Sequence, residues 1–274
     1  MGTTLDQERA FYDGVYAQFL ELPDHSLRCD RAILETELAD PSRPIYERRR
    51  LYAAVLGELL AEPVAGLRVL DYGCGPGEWG LVLAGEGARV TFLDLSPVAI
   101  QLALRRAAAS GVARRVDGIA RDASDLSCFA DGQFDLIFGG AAMHHTLKYG
   151  RAADEIVRVL RPGGRQVLAE TYGNNPLLNL ARRARWRLHG VPEEAGEEIL
   201  FGAGHIAELR RRLSSVEVTP LNLFAMAKRL FRGRFTSRPA RAAMAGLESL
   251  DRLVLGAAPF LRRYCGEVLV VGRK

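Results

Sequence analysis

The chain has 274 residues, of which 48% are hydrophobic and 26% charged, so it can bury the core of one large α/β domain and is not a disordered protein. Its four cysteines lie far apart without a C-x-x-C pair, which argues against a zinc site and against a disulfide framework. No apolar run approaches the roughly eighteen residues of a membrane helix, and the N-terminus lacks a signal-peptide pattern. We therefore expect a cytoplasmic protein without a bound metal.

Positive charge is concentrated in the last third of the chain. Residues 1 to 165 carry 19 basic and 23 acidic side chains, whereas residues 166 to 274 carry 18 basic and 10 acidic ones. Arginine accounts for 34 of the 37 basic residues. We interpret most of this charge as solvated helix surface, with an anionic ligand or RNA as the alternative.

The chain begins with a helical lead and continues as alternating strands and helices. Residues 1 to 63 form the lead, with helices at 6 to 20 and 44 to 60, and we expect its aromatic first helix to cover the acceptor pocket. From residue 67, short apolar runs alternate with helical stretches, the pattern of βαβ units. Strands are predicted at 67 to 72, 89 to 93, 115 to 120, 134 to 138, 165 to 170, 215 to 224 and 267 to 273. Helices are predicted at 78 to 85, 97 to 110, 151 to 160, 175 to 190 and 205 to 213.

This order predicts an α/β fold with a doubly wound, Rossmann-like, seven-stranded and mostly parallel sheet. The core comprises residues 64–226 and 264–274. Residues 227–263 form a helical insertion before the last strand. Because the insertion mixes apolar positions with arginines, we predict a mobile lid over the acceptor site, with a surface helical pair as the alternative.

The stretch VLDYGCGPGEWG at 69–80 places a glycine-rich turn directly after the first strand. Such a turn lets backbone amides approach an anion, as dinucleotides and S-adenosylmethionine (SAM) both require. Asp94 ends the second strand, where a carboxylate accepts hydrogen bonds from ribose hydroxyls in either class. These two features indicate an adenosine site without distinguishing the cofactors.

Three later segments separate the two cofactor classes. They are RDASDL at 121–126, FDLIFGGAAMHHT at 134–146 and VLRPGGRQVLAE at 159–170. Together with D-x-G-x-G-x-G at 71–77, and in this order, they make the chain resemble the class I SAM-dependent methyltransferases over roughly residues 66 to 172. A nicotinamide or flavin enzyme is the alternative.

The resemblance implies SAM as cofactor and S-adenosyl-L-homocysteine as product. It implies that Asp71 and the glycine amides hold the methionine moiety and that Asp94 holds the ribose. Leu95 and the Ala123 amide would lie beside the adenine, whose amino group would donate to Asp122. The implied cofactor-binding set is Asp71, Gly73, Gly75, Gly77, Asp94, Leu95, Asp122, Ala123 and Gly139. A tight turn and helix caps are the structural alternative for these residues.

Transfer of an activated methyl group needs alignment, exclusion of water and, for some nucleophiles, a base. His144 and His145 follow the fourth strand, and their near-neutral titration suits a base, with His145 preferred. Packing under the cofactor is the alternative role. Glu170 and Tyr172, at the end of the fifth strand, are secondary candidates.

The methyl acceptor is predicted to be a small molecule, with a natural product or specialised metabolite favoured over a quinone or lipid. The fourth strand lacks the Asn-Pro-Pro-aromatic tetrad that is typical of enzymes that methylate amino groups of nucleic acids and proteins. The accepting O, N or C atom stays open. So does the oligomeric state, with a homodimer as one option. A different class of function is a non-catalytic SAM-binding module that contacts RNA or a protein partner through the basic last third.

Overall fold

The computed structural model describes residues 5–146, 151–189 and 200–274, with side chains from 185 to 189 left out. Its centre is one seven-stranded sheet. The strands are β1 (Arg68–Tyr72), β2 (Arg89–Asp94), β3 (Val116–Ala120), β4 (Phe134–Gly140), β5 (Leu160–Thr171), β6 (Ser215–Leu221) and β7 (Glu267–Arg273). Their order is β3-β2-β1-β4-β5-β7-β6, and only the pairs with β7 are antiparallel. The predicted mostly parallel seven-stranded fold is confirmed.

Both faces of the sheet are covered, which explains the nearly continuous apolar runs in its central strands. Successive residues of a strand point to opposite faces. Val69 and Phe92 accordingly pack into one buried cluster, whereas Leu70 and Leu93 pack into the other. Helices on both faces therefore pack against the apolar side chains of the strands.

Eleven α-helices lie within the described ranges. They are α1 (Leu5–Leu20), α2 (Asp24–Leu27), α3 (Arg31–Ala39), α4 (Arg49–Leu59), α5 (Glu78–Gly85), α6 (Pro97–Ala109), α7 (Met143–Thr146), α8 (Ala152–Val159), α9 (Pro176–His189), α10 (Ala203–Arg212) and α11 (Arg238–Ala257). Short 3-10 helices occupy Pro44–Arg48, Ala113–Arg115, Phe224–Phe231 and Pro259–Tyr264. Residues 190–199, between the helices predicted at 175 to 190 and 205 to 213, lie outside the described residues. In the described part of the chain, no helix is both long and apolar enough to cross a membrane.

The N-terminal lead packs directly on the core. Helix α1 lies against α6, and Arg105 of α6 donates to the carbonyl of Leu22 (2.9 Å) and to Asp24. Helix α4 covers β5 and β7. Helix α3, which the sequence analysis did not predict, begins at Asp30, whose carboxylate accepts from the amide of Ile33 (2.9 Å).

The insertion is helical, as expected, and is fixed to the carboxyl edge of the sheet by buried charges. Lys228 donates to Glu267 at the start of β7 (2.7 Å), and both side chains are at most 4% exposed. The carboxylate of Asp251, in α11, is fully buried and accepts from the amides of Leu223 (3.0 Å) and Phe224 (2.7 Å). Lys228, near the start of the insertion, and Asp251, within it, are thus each hydrogen-bonded to residues outside the insertion. The proposed lid motion stays a prediction.

Candidate functional site

The glycine turn that follows β1 can be built only with glycine at three alternate positions. Gly73, Gly75 and Gly77 have φ values of 63°, 50° and 80°, a region that other residues rarely adopt. A Cβ atom on Gly73 would collide with Ala142, and one on Gly75 would lie 2.8 Å from the hydroxyl oxygen of Tyr16. The turn therefore brings the backbone close to whatever lies above the carboxyl edge of the sheet.

Asp94 ties the glycine turn to the end of β2. Its two carboxylate oxygens accept from the amide of Gly75 (2.8 Å) and from the amide of Ser96 (2.9 Å). Burial raises the pKa of Asp94, although the hydrogen bonds from Ser96 and Gly75 act in the opposite direction. Each carboxylate oxygen has a second lone pair, so Asp94 can still accept from a ligand.

Asp71 lies on β1 but is directed away from the cavity. Its carboxylate accepts from the amide of Gly80 in the first turn of α5 (3.0 Å), and its side chain is 2% exposed. Burial raises the pKa of Asp71 well above its usual range. In this structure Asp71 fixes the start of α5, and its predicted contact with the cofactor stays a prediction.

A cavity of about 240 Å³ opens at the carboxyl ends of β1, β2 and β4, beneath α1. It is lined by Leu5, Glu8, Tyr12, Tyr16, Gly73, Asp94, Leu95, Asp122, Ala123, Gly140, Ala141, Ala142, His145 and Thr146. Six predicted site residues therefore meet here: Gly73, Asp94, Leu95, Asp122, Ala123 and His145. The other predicted residues do not line it: Asp71, Gly75, Gly77, Gly139, His144 and the secondary candidates Glu170 and Tyr172. Within the described ranges, neither does any residue of the insertion.

Helix α1 contributes side chains that the motif analysis did not single out as site residues. Glu8, Tyr12 and Tyr16 are spaced four residues apart, so they lie on one face of the helix and enter the cavity together. Burial, and then the nearby Asp94 carboxylate, raise the pKa of the Tyr16 phenol well above its usual range, so Tyr16 remains a neutral hydroxyl. The helical spacing of aromatic residues was the only sequence signal for this wall.

The two neighbouring histidines have different surroundings. Nδ1 of His145 lies 3.0 Å from Oε1 of Glu8, and its Nε2 lies 3.2 Å from the hydroxyl oxygen of Tyr12. Nδ1 of His144 lies 2.8 Å from Oε2 of Glu170, and both of these side chains are at most 3% exposed. Oε1 of Glu170 also accepts from the amide of Met143 (2.9 Å). His145 thus faces the cavity, whereas His144 and Glu170 hold the turn beneath it.

Comparison with known proteins agrees with this geometry. A methyltransferase-domain family profile matches residues 69–164. The chain is 36% identical over 121 residues to a demethylmenaquinone methyltransferase of Clavibacter sepedonicus, covering 44% of this chain and 47% of that protein. It is 33% identical over 188 residues to an uncharacterised protein of Mycobacterium bovis, covering 61% of this chain and 67% of that protein. The match thus spans about half the length of the first relative.

Among solved structures, the [4+2]-cyclase SpnF has a TM-score of 0.51 and 25% sequence identity, with 80% of each chain covered. Residues 69–164 thus form a methyltransferase domain, and the resemblance to the class I SAM-dependent methyltransferases inferred from the sequence motifs is confirmed. The cofactor of this family is SAM, as expected.

Proposed function

We propose that the protein transfers the methyl group of SAM to a hydroxyl group of a small molecule. The observation that carries this proposal is the position of His145. It lines the same cavity as Asp94 and Asp122, and its Nε2 faces a hydroxyl group. SAM supplies an electrophilic methyl group on a sulfonium, so the protein has to hold the reactants in line, exclude water and accept a proton.

The residues present fit the cofactor chemically. The amides of Cys74, Gly75 and Gly77 already donate within the protein, so the glycine turn serves the cofactor by letting it come close to the backbone. The lone pairs left on Asp94 suit two ribose hydroxyls. Asp122 can accept from the adenine amino group, with Leu95 and Ala123 as apolar neighbours of the ring. A cavity of 240 Å³ is smaller than the usual ligand site of about 300–1,000 Å³, and α1 forms one wall of it.

His145 is the proposed base. A base must lie within hydrogen-bond distance of the proton that it removes, and the 3.2 Å separation from the Tyr12 hydroxyl shows that a hydroxyl fits against Nε2. His144 has no such access, because it is buried against Glu170 outside the cavity lining. We assign His144 and Glu170 a structural role in holding α7 against β5.

The favoured acceptor is a natural product or specialised metabolite, methylated in the cytoplasm. The aromatic side chains of Tyr12 and Tyr16 on one wall, with Ala141 and Ala142 among the other lining residues, suit a compact, partly apolar molecule. A quinone precursor is the second candidate, and the similarity to a demethylmenaquinone methyltransferase favours it.

A nucleic-acid-binding role receives less support from the surface charges. Several arginines of the basic last third are paired with acids of this chain: Arg212 with Asp154, Arg232 with Glu47, and Arg273 with Glu62. Paired side chains contribute less to an electropositive surface for phosphate groups. The solvated-surface interpretation is therefore favoured.

Methyl-labelled SAM incubated with the protein and a cell extract tests the proposal. The extract is divided into a small-molecule fraction, an RNA fraction and a protein fraction before the label is counted. Label in the small-molecule fraction, lost in His145→Ala, is the expected result. Label confined to RNA or protein contradicts the proposed acceptor class, and SAM binding without any transfer contradicts the proposed activity.

A further inference from the structure

We propose that Glu8 of α1 is a positioning residue for His145, so that the base is complete only when α1 covers the cavity. This inference rests on the function proposed above. It assigns to the N-terminal helix a part in the proton transfer in addition to its part as a cover.

Burial of the Glu8 carboxylate is the first observation. Glu8 is 4% exposed, although it lies in the first turns of an N-terminal helix whose neighbouring acid Asp6 has a side chain that is 88% exposed. Burying a carboxylate is costly unless it is paired and hydrogen-bonded. Oε1 of Glu8 lies 3.0 Å from Nδ1 of His145, which follows β4 in the sequence. This ion pair therefore connects α1 to α7, two helices that are far apart in the sequence.

The geometry at His145 gives this pair a chemical consequence. When Nδ1 carries a hydrogen and donates it to Glu8, the other ring nitrogen is the acceptor, which fixes the tautomer required of a base. Nε2 then faces the cavity at the position where it meets the Tyr12 hydroxyl. As a proton passes from a hydroxyl to Nε2, the ionised Glu8 stabilises the positive charge that forms on the ring and stays ionised itself.

The spacing of α1 residues connects this chemistry to closure. Glu8, Tyr12 and Tyr16 lie on one face of α1, and all three line the cavity. Tyr16 reaches the glycine turn while Glu8 reaches His145. Docking of α1 therefore brings the carboxylate to Nδ1 in the same movement that excludes water from the cavity. An acceptor whose hydroxyl must lose its proton benefits from this arrangement, whereas an amine that is already nucleophilic does not.

Several described titratable groups face the His145 ring and bear on its charge. Glu8 and Tyr12 approach from α1, and His144 lies beside it with ring centroids 4.1 Å apart. Asp94 interacts electrostatically with His145 from the end of β2, and Asp122 lines the opposite side of the cavity. A test must therefore remove the Glu8 charge while keeping the other four groups.

The variant Glu8→Gln removes the charge and keeps the size, and Asp6→Asn is the matched control because it removes an exposed charge from the same helix turn. The readout that needs no acceptor is the pH titration of the His145 ring by NMR, assigned by its loss in His145→Ala. We expect the titration midpoint to fall by about 1 pH unit in Glu8→Gln, since a nearby carboxylate favours the charged ring. Asp6→Asn should titrate like the wild type.

Two further measurements complete the test. The rate of label transfer from methyl-labelled SAM into the small-molecule fraction should fall about 10- to 100-fold in Glu8→Gln. This decrease is smaller than the rate enhancement of about 10²- to 10⁴-fold that a general base supplies, because His145 itself is retained. Affinity for S-adenosylhomocysteine should stay within about threefold of the wild type. If Glu8→Gln does not fold, Glu8→Asp is the second variant, because it withdraws the carboxylate from Nδ1 by one methylene. We then expect smaller decreases of the His145 titration midpoint and of the transfer rate.

An unchanged His145 titration in folded Glu8→Gln overturns the proposal, whatever happens to the rate. An unchanged rate together with a lowered midpoint overturns it as well, because the pair then has no bearing on proton transfer. Failure of the wild type to bind S-adenosylhomocysteine or to transfer label is a different result. It contradicts the proposed function and is seen before any Glu8 variant is made.

Discussion

Replacing Asp94 tests the cofactor site most severely, because one side chain there serves both the protein and the proposed ligand. In Asp94→Ala the amides of Gly75 and Ser96 lose their acceptors at 2.8 and 2.9 Å. On the proposed assignment, two ribose hydroxyls of the cofactor also lose a charged acceptor. A hydrogen bond to a charged group contributes about 1.5–3 kcal/mol. We expect affinity for S-adenosylhomocysteine to fall by about that amount, roughly 10- to 150-fold in Kd.

Isothermal titration calorimetry with S-adenosylhomocysteine measures this loss. The matched control is Asp117→Ala, which removes an exposed acid from the neighbouring strand β3 and should leave Kd unchanged. Asp94→Asn separates charge from shape, because the amide keeps one acceptor but presents a donor to one backbone amide. A Kd for folded Asp94→Ala within twofold of the wild type would refute the assignment of Asp94 to the ribose.

Four other changes test separate features of the protein. His145→Ala should lower methyl transfer by about 10²- to 10⁴-fold while SAM affinity is nearly unchanged, as measured by single-turnover assays and calorimetry; equal rates in both proteins contradict a base. Lys228→Met should lower the free energy of unfolding in urea by about 3 kcal/mol, since it leaves Glu267 buried without its nearest cation. Burial alone would raise the pKa of Glu267, but Lys228 and Arg48 hold it below its usual value of 4.5. The wild type should therefore lose stability as the pH falls below about 4.5, and Glu267→Gln should lose this dependence. Replacement of 227–263 by a Gly/Ser linker should lower transfer by orders of magnitude with SAM affinity within about 1.4 kcal/mol, and full activity of a folded deletion variant contradicts a lid.

The strands could be predicted closely from the sequence, because their signals are local. The segment predicted at 89 to 93 is β2, Arg89–Asp94, and the one predicted at 267 to 273 is β7 with the same bounds. Strand β5 begins at Leu160 rather than at the predicted residue 165, and it includes Pro162 and the two glycines that follow it. Proline and glycine usually end a regular element, but here residues 161–164 form an irregularity between Leu160 and Arg165, which both pair with β4. The amide of Gly163 donates to the carbonyl of Lys274 (2.9 Å), which keeps this stretch in the sheet.

The sequence predicts only those site residues that lie at the end of a strand or soon after it. Asp94 and His145 follow strand ends, so a parallel sheet necessarily places them at one edge. Glu8 could not be assigned in this way, because its contact with His145 depends on how α1 docks across the sheet. The direction of Asp71 likewise depends on the first turn of α5, where the amide of Gly80 is available to it. The sequence motif thus predicts the position of a residue at the sheet edge, whereas the direction of its side chain depends on the packing of the neighbouring helices.

Hydrogen exchange with and without S-adenosylhomocysteine tests the central claim most directly, because it locates the cofactor without knowledge of the acceptor. We expect saturating ligand to slow exchange in the glycine turn at 73–77, at Asp94 and the two residues after it, and in α1. Helix α11 should exchange equally in both states. Protection confined to other segments, or none with the ligand bound, would contradict the placement of the cofactor in this cavity beneath α1.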